Sequence, residues 1–83
     1  MKIKELFAND SLWTKGTMRR SKNGTTSYCL VGAIYKCYPK DTDRERVFTS
    51  LYKIIPNGLI IDWNDAPDRK FEDITKLVGE LDI

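Results

Sequence analysis

The segment Tyr28–Tyr38 limits the fold more than any other part of the sequence, because it is apolar almost all the way round a helix. Small residues share one side of that helix: Cys29, Gly32, Ala33 and Cys37. Larger residues share the other side: Leu30, Val31, Ile34, Tyr35 and Tyr38. A helix that is apolar all round lies buried at the centre of a fold. The pattern therefore predicts a central helix over residues 28–38, with another element packed closely against its small side.

The ends of this helix are predicted from its flanking residues. Thr26 or Ser27 provides a hydroxyl that caps the start, and Pro39 stops the helix. Tyr, Val and Ile also favour strands, so a β-strand is the competing prediction. The length of the segment and its small-residue side favour the helix.

Two further helices are predicted before and after the central one. Ile3, Leu6 and Phe7 have the spacing of a short amphipathic helix. Thr42–Glu45 matches a capping box, with a hydroxyl at the N-cap and a carboxylate three residues later. The apolar stripe that follows, over residues 47–55, predicts a helix that ends at Pro56-Asn57-Gly58.

The last quarter of the chain predicts one more amphipathic helix, capped by Asp68. Its buried face consists of Phe71, Ile74, Leu77, Val78 and Leu81. Before it, Leu59–Ile61 is either a brief extended segment or the start of a helical turn, and residues 62–67 are predicted to form a turn.

Residues 14–27 are polar and predict a loop or a short β-hairpin near residues 17–27. Asn23-Gly24 is typical of a type I′ turn, whose two central residues need positive φ. The flanking residues do not alternate between apolar and polar, so any hairpin is short and exposed. The chain is thus predicted to be mainly α, a compact bundle of about four helices in a single domain, residues 1–83.

The two cysteines and the absence of long apolar runs predict a cytoplasmic protein. Cys29 and Cys37 stand about 12 Å apart on one helix, which is too far for a disulfide, so we expect buried thiols in a reducing compartment. No apolar stretch behind Met1 has the character of a signal peptide. No apolar run approaches the roughly 20 residues that span a membrane.

The sequence contains no histidine, which excludes Ser-His-Asp, Cys-His and other histidine-based catalytic sites within one chain. Two cysteines are too few for the usual structural zinc site. We therefore expect a protein that is not an enzyme and that needs no metal or cofactor. A histidine-free enzyme that acts on a nucleotide through Asp62 or Asp65 is the alternative.

Three motifs stand out: Trp13-Thr14-Lys15-Gly16, Cys29-x-x-Gly32-Ala33 and Trp63-Asn64-Asp65-x-Pro67-x-Arg69. Their order resembles a family of small bacterial and phage proteins of unknown function, and the resemblance extends from Leu6 to Leu81. It implies a shared fold and no particular activity.

The motifs have a structural and a functional interpretation. In the first, the tryptophans hold irregular segments on the helices, and Asn64 and Asp65 shape a turn. In the second, Trp13 and Trp63 flank a pocket that binds a nucleotide-like anion by stacking, by amide hydrogen bonds and by neutralising a phosphate. The predicted ligand-binding residues are Trp13, Lys15, Gly16, Arg19, Arg20, Trp63, Asn64, Asp65 and Arg69.

We therefore expect a non-enzymatic small-ligand-binding protein that forms a homo-oligomer. In a phage, such a protein would sequester a nucleotide-like anionic ligand. The alternative function is a protein–protein interaction module that inhibits or modulates a host or cellular protein. Nucleic acid is not an expected partner, because the net charge is only +2 and Lys15–Lys22 is the one locally basic stretch.

Overall fold

The computed structural model describes the backbone of residues 1–83 and the side chains of residues 1–56 and 58–83. The described chain contains five α-helices and one antiparallel hairpin: α1 (Ile3–Leu6), β1 (Arg19–Lys22), β2 (Thr25–Tyr28), α2 (Leu30–Cys37), α3 (Asp41–Tyr52), α4 (Ile60–Asp65) and α5 (Phe71–Leu81). Short 3-10 turns cover Asp10–Leu12 and Pro56–Gly58. The prediction of a mainly helical fold with a short hairpin is confirmed.

Helix α2 lies at the centre, as its apolar composition predicts. Leu30, Ala33 and Ile34 are fully buried, and the helix packs against α1, α3 and α4. The predicted caps are wrong, because residues 26–28 belong to β2 and the helix begins only at Leu30. Cys29 is the N-cap instead, and its Sγ accepts a hydrogen bond from the Gly32 backbone N–H at 3.4 Å. Both cysteines are buried and free, as predicted.

The chain at the start of the hairpin approaches the small side of α2 at Gly32. Its turn places Asn23 at φ 52° and Gly24 at φ 79°, which confirms the predicted type I′ geometry. The segment just before β1 crosses Gly32 so closely that a Cβ built on Gly32 would lie 2.0 Å from the Met18 carbonyl oxygen. That carbonyl accepts a hydrogen bond from the Cys29 backbone N–H at 3.2 Å. The contact leaves no room for any side chain at position 32.

Helix α3 starts and ends earlier than predicted. It begins at Asp41 after Lys40, without a side-chain cap, so the capping box at Thr42 is wrong. The Arg44 guanidinium bonds the carbonyls of Tyr38 and Pro39 and the carboxylate of Asp41, which fixes the chain at the first turn. The helix ends at Tyr52 rather than at Pro56.

Helices α4 and α5 also differ from the prediction at their ends. Helix α4 agrees with the helical alternative predicted for Leu59–Ile61. It continues to Asp65, so part of the turn predicted over residues 62–67 is helical. Asp68 does not cap α5, because the Arg69 N–H closes a turn onto the Ala66 carbonyl and the helix begins only after Lys70. The predicted face of α5 is confirmed, with Ile74, Leu77 and Val78 buried and Phe71 and Leu81 packed against the core.

Residues from the two ends of the described chain meet. The Ile3 backbone N–H bonds the Ile83 carbonyl, which also accepts a hydrogen bond from the Tyr38 hydroxyl at 2.7 Å. Lys2 lies 2.8 Å from the Asp82 carboxylate, and Lys4 bonds the same carboxylate. Hydrogen bonds from these two lysines lower the pKa of Asp82 to about 2.

We expect the Asp82 ion pairs to make stability depend on pH in the acid range. Because the folded-state pKa is depressed, the contribution is complete above the unfolded value of 3.8 and is lost as the pH falls towards 2. Asp82→Asn should therefore lower the urea midpoint at pH 7 and have a much smaller effect at pH 2, where about half of the folded molecules carry a protonated Asp82. Asparagine tolerates the positive φ of 55° at this position. A difference between the two proteins that is the same at pH 7 and pH 2 would contradict this prediction.

A second prediction concerns the contact at Gly32. Gly32→Ala should lower the free energy of unfolding by about 1–3 kcal/mol, because a Cβ there would overlap the Met18 backbone. Gly79→Ala is the matched control: it lies in α5 with nothing within 4 Å of its Cβ position, and should raise the same free energy by up to about 1 kcal/mol. Urea unfolding followed by far-UV circular dichroism measures both changes. Equal effects of the two substitutions would contradict the close contact between Gly32 and the Met18 backbone.

Candidate functional site

Asn64 is the centre of the predicted site and is fully buried. Its Oδ1 accepts hydrogen bonds from the Trp13 indole Nε1 at 2.8 Å and from the Leu30 backbone N–H at 3.0 Å. Its Nδ2 donates to the Thr14 carbonyl at 3.1 Å and to the Asp65 Oδ1 at 2.9 Å. These four bonds use both lone pairs and both protons of the amide. Asn64 therefore connects the Trp13 segment, the start of α2 and helix α4.

Trp13 is held on several sides by the fold. It follows the 3-10 turn Asp10–Leu12 and pairs with Tyr28 through a single β-bridge. Its ring lies 6.2 Å from that of Phe71, centroid to centroid. Together with the hydrogen bond from its indole N–H to Asn64, these contacts connect Trp13 to β2, α4 and α5.

Lys15, Gly16 and Asp65 join the same cluster. Asp65 Oδ1 accepts from the Gly16 backbone N–H at 3.1 Å, and the Lys15 Nζ donates to the Ala66 carbonyl at 2.7 Å. The Lys15 ammonium also lies 5.4 Å from the centroid of the Trp13 ring. Each of these polar groups has a partner within the protein, so the cluster ties the Trp13 loop to the end of α4.

Trp63 and Arg69 form a neighbouring pair. The guanidinium carbon of Arg69 lies 3.9 Å from the Trp63 ring centroid, within cation–π range, and its Nε donates to the Trp63 carbonyl at 2.7 Å. Arg69 also lies 3.9 Å from the Asp73 carboxylate. The ring of Trp63 is half-buried against the core under this side chain.

The structure thus brings together the predicted residues of both tryptophan motifs. Their polar groups, however, form hydrogen bonds within the protein. The two indoles contact different partners, and neither lines any of the four cavities described below. Arg19 and Arg20 lie apart from the cluster on β1, where both are exposed. These contacts favour the structural interpretation of Trp13 and Asn64.

A small cavity does lie beside the cluster. It has a volume of about 210 Å³ and is lined by Gly16, Thr17, Met18, Cys29, Ile61 and Asp65. Ligand sites usually exceed about 300 Å³. Of the predicted residues, only Gly16 and Asp65 reach it.

A second cavity, which we call the hairpin cleft, lies between the hairpin and α2. Its volume is about 290 Å³, and its lining consists of Met18, Arg19, Tyr28, Gly32, Tyr35 and Lys36. Sequence reasoning included only Arg19 among these. The signal that points to the cleft is the charge distribution: residues 11–40 contain six Lys or Arg and no Asp or Glu, whereas the other residues carry eight Lys or Arg and all twelve acids.

The largest described cavity, which we call the apolar groove, lies between α3 and α4. Its volume is about 460 Å³, and its lining consists of Val31, Phe48, Tyr52, Gly58, Leu59, Ile60, Ile61 and Asp62. The apolar stripe predicted over residues 47–55 includes Phe48 and Tyr52. On α3, Val47 and Leu51 are buried, Phe48 packs half-buried against the core, and Tyr52 stays 54% exposed. A fourth cavity, of about 360 Å³, shares Phe48 and Tyr52 with the groove.

The remaining reactive groups are few. Burial raises the pKa of the Cys37 thiol, which keeps it protonated and unreactive at neutral pH. Across the described residues, no group of three or more Asp, Glu or Cys side chains is arranged to hold a metal ion. None of the described helices is long and apolar enough to cross a membrane.

Comparison with family models places the chain in a family. The model of DUF6197, a family of unknown function, matches residues 5–80, which is nearly all of the chain. The chain belongs to this family. A search of curated proteins and a search of solved structures found no match. The predicted membership of a family of unknown function is confirmed, and membership of DUF6197 implies no particular activity.

We expect the buried amide of this DUF6197 domain to be essential for stability. Asn64→Asp keeps the acceptor for Trp13 but loses the donor to the Thr14 carbonyl and buries a charge, so the free energy of unfolding should fall by about 3 kcal/mol or more. Asn9→Asp is the matched control, because the Asn9 side chain serves as an acceptor for the Ser11 N–H and aspartate keeps that role. The control should change stability by less than about 0.5 kcal/mol. Urea unfolding measures both, and similar losses would contradict the prediction.

Proposed function

We propose that this protein is a non-enzymatic binding protein whose ligand carries an aromatic ring and an anionic group, such as a nucleotide derivative, and that the hairpin cleft binds it. The observation that carries this proposal is the lining of the cleft, which combines two tyrosines, two cations and no acid. An aromatic surface beside basic groups suits a nucleotide-like ligand, which stacks and needs its phosphate neutralised.

Arg19 and Lys36 provide the positive charge of the cleft. Arg19 lies on β1 directly opposite Tyr28 in the antiparallel register, so the two side chains share one face of the hairpin. Neither Arg19 nor Lys36 forms an ion pair within the described part of the chain. An arginine that is not paired internally is suited to bidentate binding of a phosphate.

Tyr35 provides a positioned aromatic ring. The Arg44 guanidinium lies 4.7 Å from its centroid, and Phe48 meets it edge-on at 6.5 Å. These contacts hold the ring from the side of α3, while 51% of the residue remains exposed and lines the cleft. Stacking of a base on such a ring contributes about 1–3 kcal/mol.

The size of the cleft limits the ligand. At about 290 Å³ it lies just below the roughly 300 Å³ at which the range for small-molecule sites begins. The Met18 backbone lies directly against Gly32 and forms the floor of the cleft. The two backbones can approach this closely because glycine has no side chain. The cleft therefore suits a mononucleotide better than a larger ligand. Binding without turnover would sequester such a molecule, which is the role we propose for the protein in a phage or bacterial cell.

We expect 5′-mononucleotides to bind more tightly than the corresponding nucleosides. At ten times the Kd, a mononucleotide should stabilise the fold by about 1.4 kcal/mol and raise its Tm by roughly 6–11 °C. Arg19→Gln and Lys36→Gln should each weaken binding by about tenfold or more in isothermal titration calorimetry, because each removes a cation from the cleft.

Arg20→Gln is the matched control, because Arg20 is the next residue of the same strand and points to the opposite face. It should leave the Kd within about twofold. The proposal fails if no mononucleotide binds at millimolar concentration, or if Arg20→Gln weakens binding as much as Arg19→Gln does.

A further inference from the structure

The apolar groove holds three of the seven large hydrophobic residues that are exposed in the described part of the chain. Tyr52, Leu59 and Ile61 line it and are each more than half exposed. Contiguous exposed apolar surface of this kind marks interaction sites in soluble proteins. The groove shares no lining residue with the hairpin cleft, and none of its lining residues belongs to the cluster around Trp13 and Asn64. It is therefore a separate surface.

The walls of the groove are fixed before any partner arrives. Phe48 and Tyr52 stack one helical turn apart, with centroids 6.0 Å apart and planes 22° from parallel. Gly58 lies against the Tyr52 ring, so that a Cβ built there would be 2.9 Å from its Cε1. Val31 from α2 and buried Ile60 from α4 close the floor. A preorganised groove saves the cost of ordering its side chains on binding.

The charges around the groove are acidic. Asp62 is the one charged residue of its lining, and the adjoining cavity adds Asp41, Arg44 and Glu45. Arg44 is already engaged by Asp41 and by two backbone carbonyls. Asp62 and Glu45 form no ion pair with any described residue. The charge that is left for a partner to meet is therefore negative.

The size of the groove suits one helix better than a second copy of this chain. Eight residues line it, whereas a stable interface uses roughly 20–30 residues a side. A two-fold dimer through this surface would also place the same acids of both copies near each other. An extended peptide would bury its backbone polar groups against an apolar wall, whereas a helix bonds its own.

We infer that the apolar groove is a docking site for one amphipathic helix of a partner protein, which carries apolar residues at helical spacing and lysine or arginine beside them. Its apolar residues occupy the space between Tyr52, Leu59 and Ile61, and its basic residues pair with Asp62 and Glu45. The inference stands apart from nucleotide binding, because it uses different residues.

A display library of helical peptides tests this inference. The peptides have about 18 residues, with random apolar positions and either Lys or Glu at every charged position. Selection on the native protein should enrich peptides with an apolar stripe and favour Lys over Glu beside it by about tenfold or more. Selection on Leu59→Asn should not enrich them, because Leu59 is half exposed and its loss removes groove surface without touching the core.

Selected peptides, labelled with fluorescein, then measure affinity by anisotropy. Leu59→Asn and Ile61→Asn should each raise the Kd by about tenfold or more, and Asp62→Asn should reduce the preference for Lys over Glu. Ile54→Asn is the matched control, since Ile54 is 49% exposed but does not line the groove. It should leave the Kd within about twofold, and urea midpoints check that all variants fold.

Three results would overturn the inference. The first is no enrichment on the native protein, or equal enrichment on Leu59→Asn. The second is a preference for Glu over Lys, or a loss of affinity in Ile54→Asn that equals the loss in Ile61→Asn. The third is a dimer in analytical ultracentrifugation that Leu59→Asn dissociates, because a second copy would then occupy the groove.

Discussion

The hydrogen bonds of one buried amide hold the rest of this structure together. Asn64 is separated by 51 residues from Trp13 and by 34 from Leu30, and it bonds both of them with a single oxygen. A buried polar group without partners destabilises a fold, so an asparagine at this position is favourable only when every segment around it is in place. The amide therefore selects one arrangement of the Trp13 loop, α2 and α4 over looser apolar packings.

The central helix and the hairpin were predictable because their signals are local. An all-round apolar segment has few alternatives to burial, and Asn23-Gly24 needs a geometry that only a few turns provide. The helix ends were not predictable to the same degree. Thr42 and Asp68 are good capping residues, but the bonds of Arg44 to the Tyr38 and Pro39 carbonyls and the turn from Ala66 to Arg69 set the boundaries instead. At both places a neighbouring side chain or turn, which no capping pattern describes, determined where the helix begins.

The candidate site shows the same division. The sequence motifs correctly bring Trp13 near Asn64 and Asp65, but a motif does not reveal whether an amide faces a ligand or its own protein. That choice depends on Thr14 and Leu30, which are distant in sequence. The apolar groove was hidden for a related reason. Phe48 and Tyr52 continue the stripe of Val47 and Leu51, and only the fold shows that Phe48 is half-buried against the core while Tyr52 is exposed.

The shortness of the helices has a consequence for recognition. They contain from 4 to 12 residues, and isolated helices below about 12–15 residues are marginal in water. A helix of this length that detached from the core would lose most of its helical structure. We therefore expect molecules that bind this domain to match its surface nearly as it stands, with adjustment confined to exposed side chains such as Leu59 and Ile61.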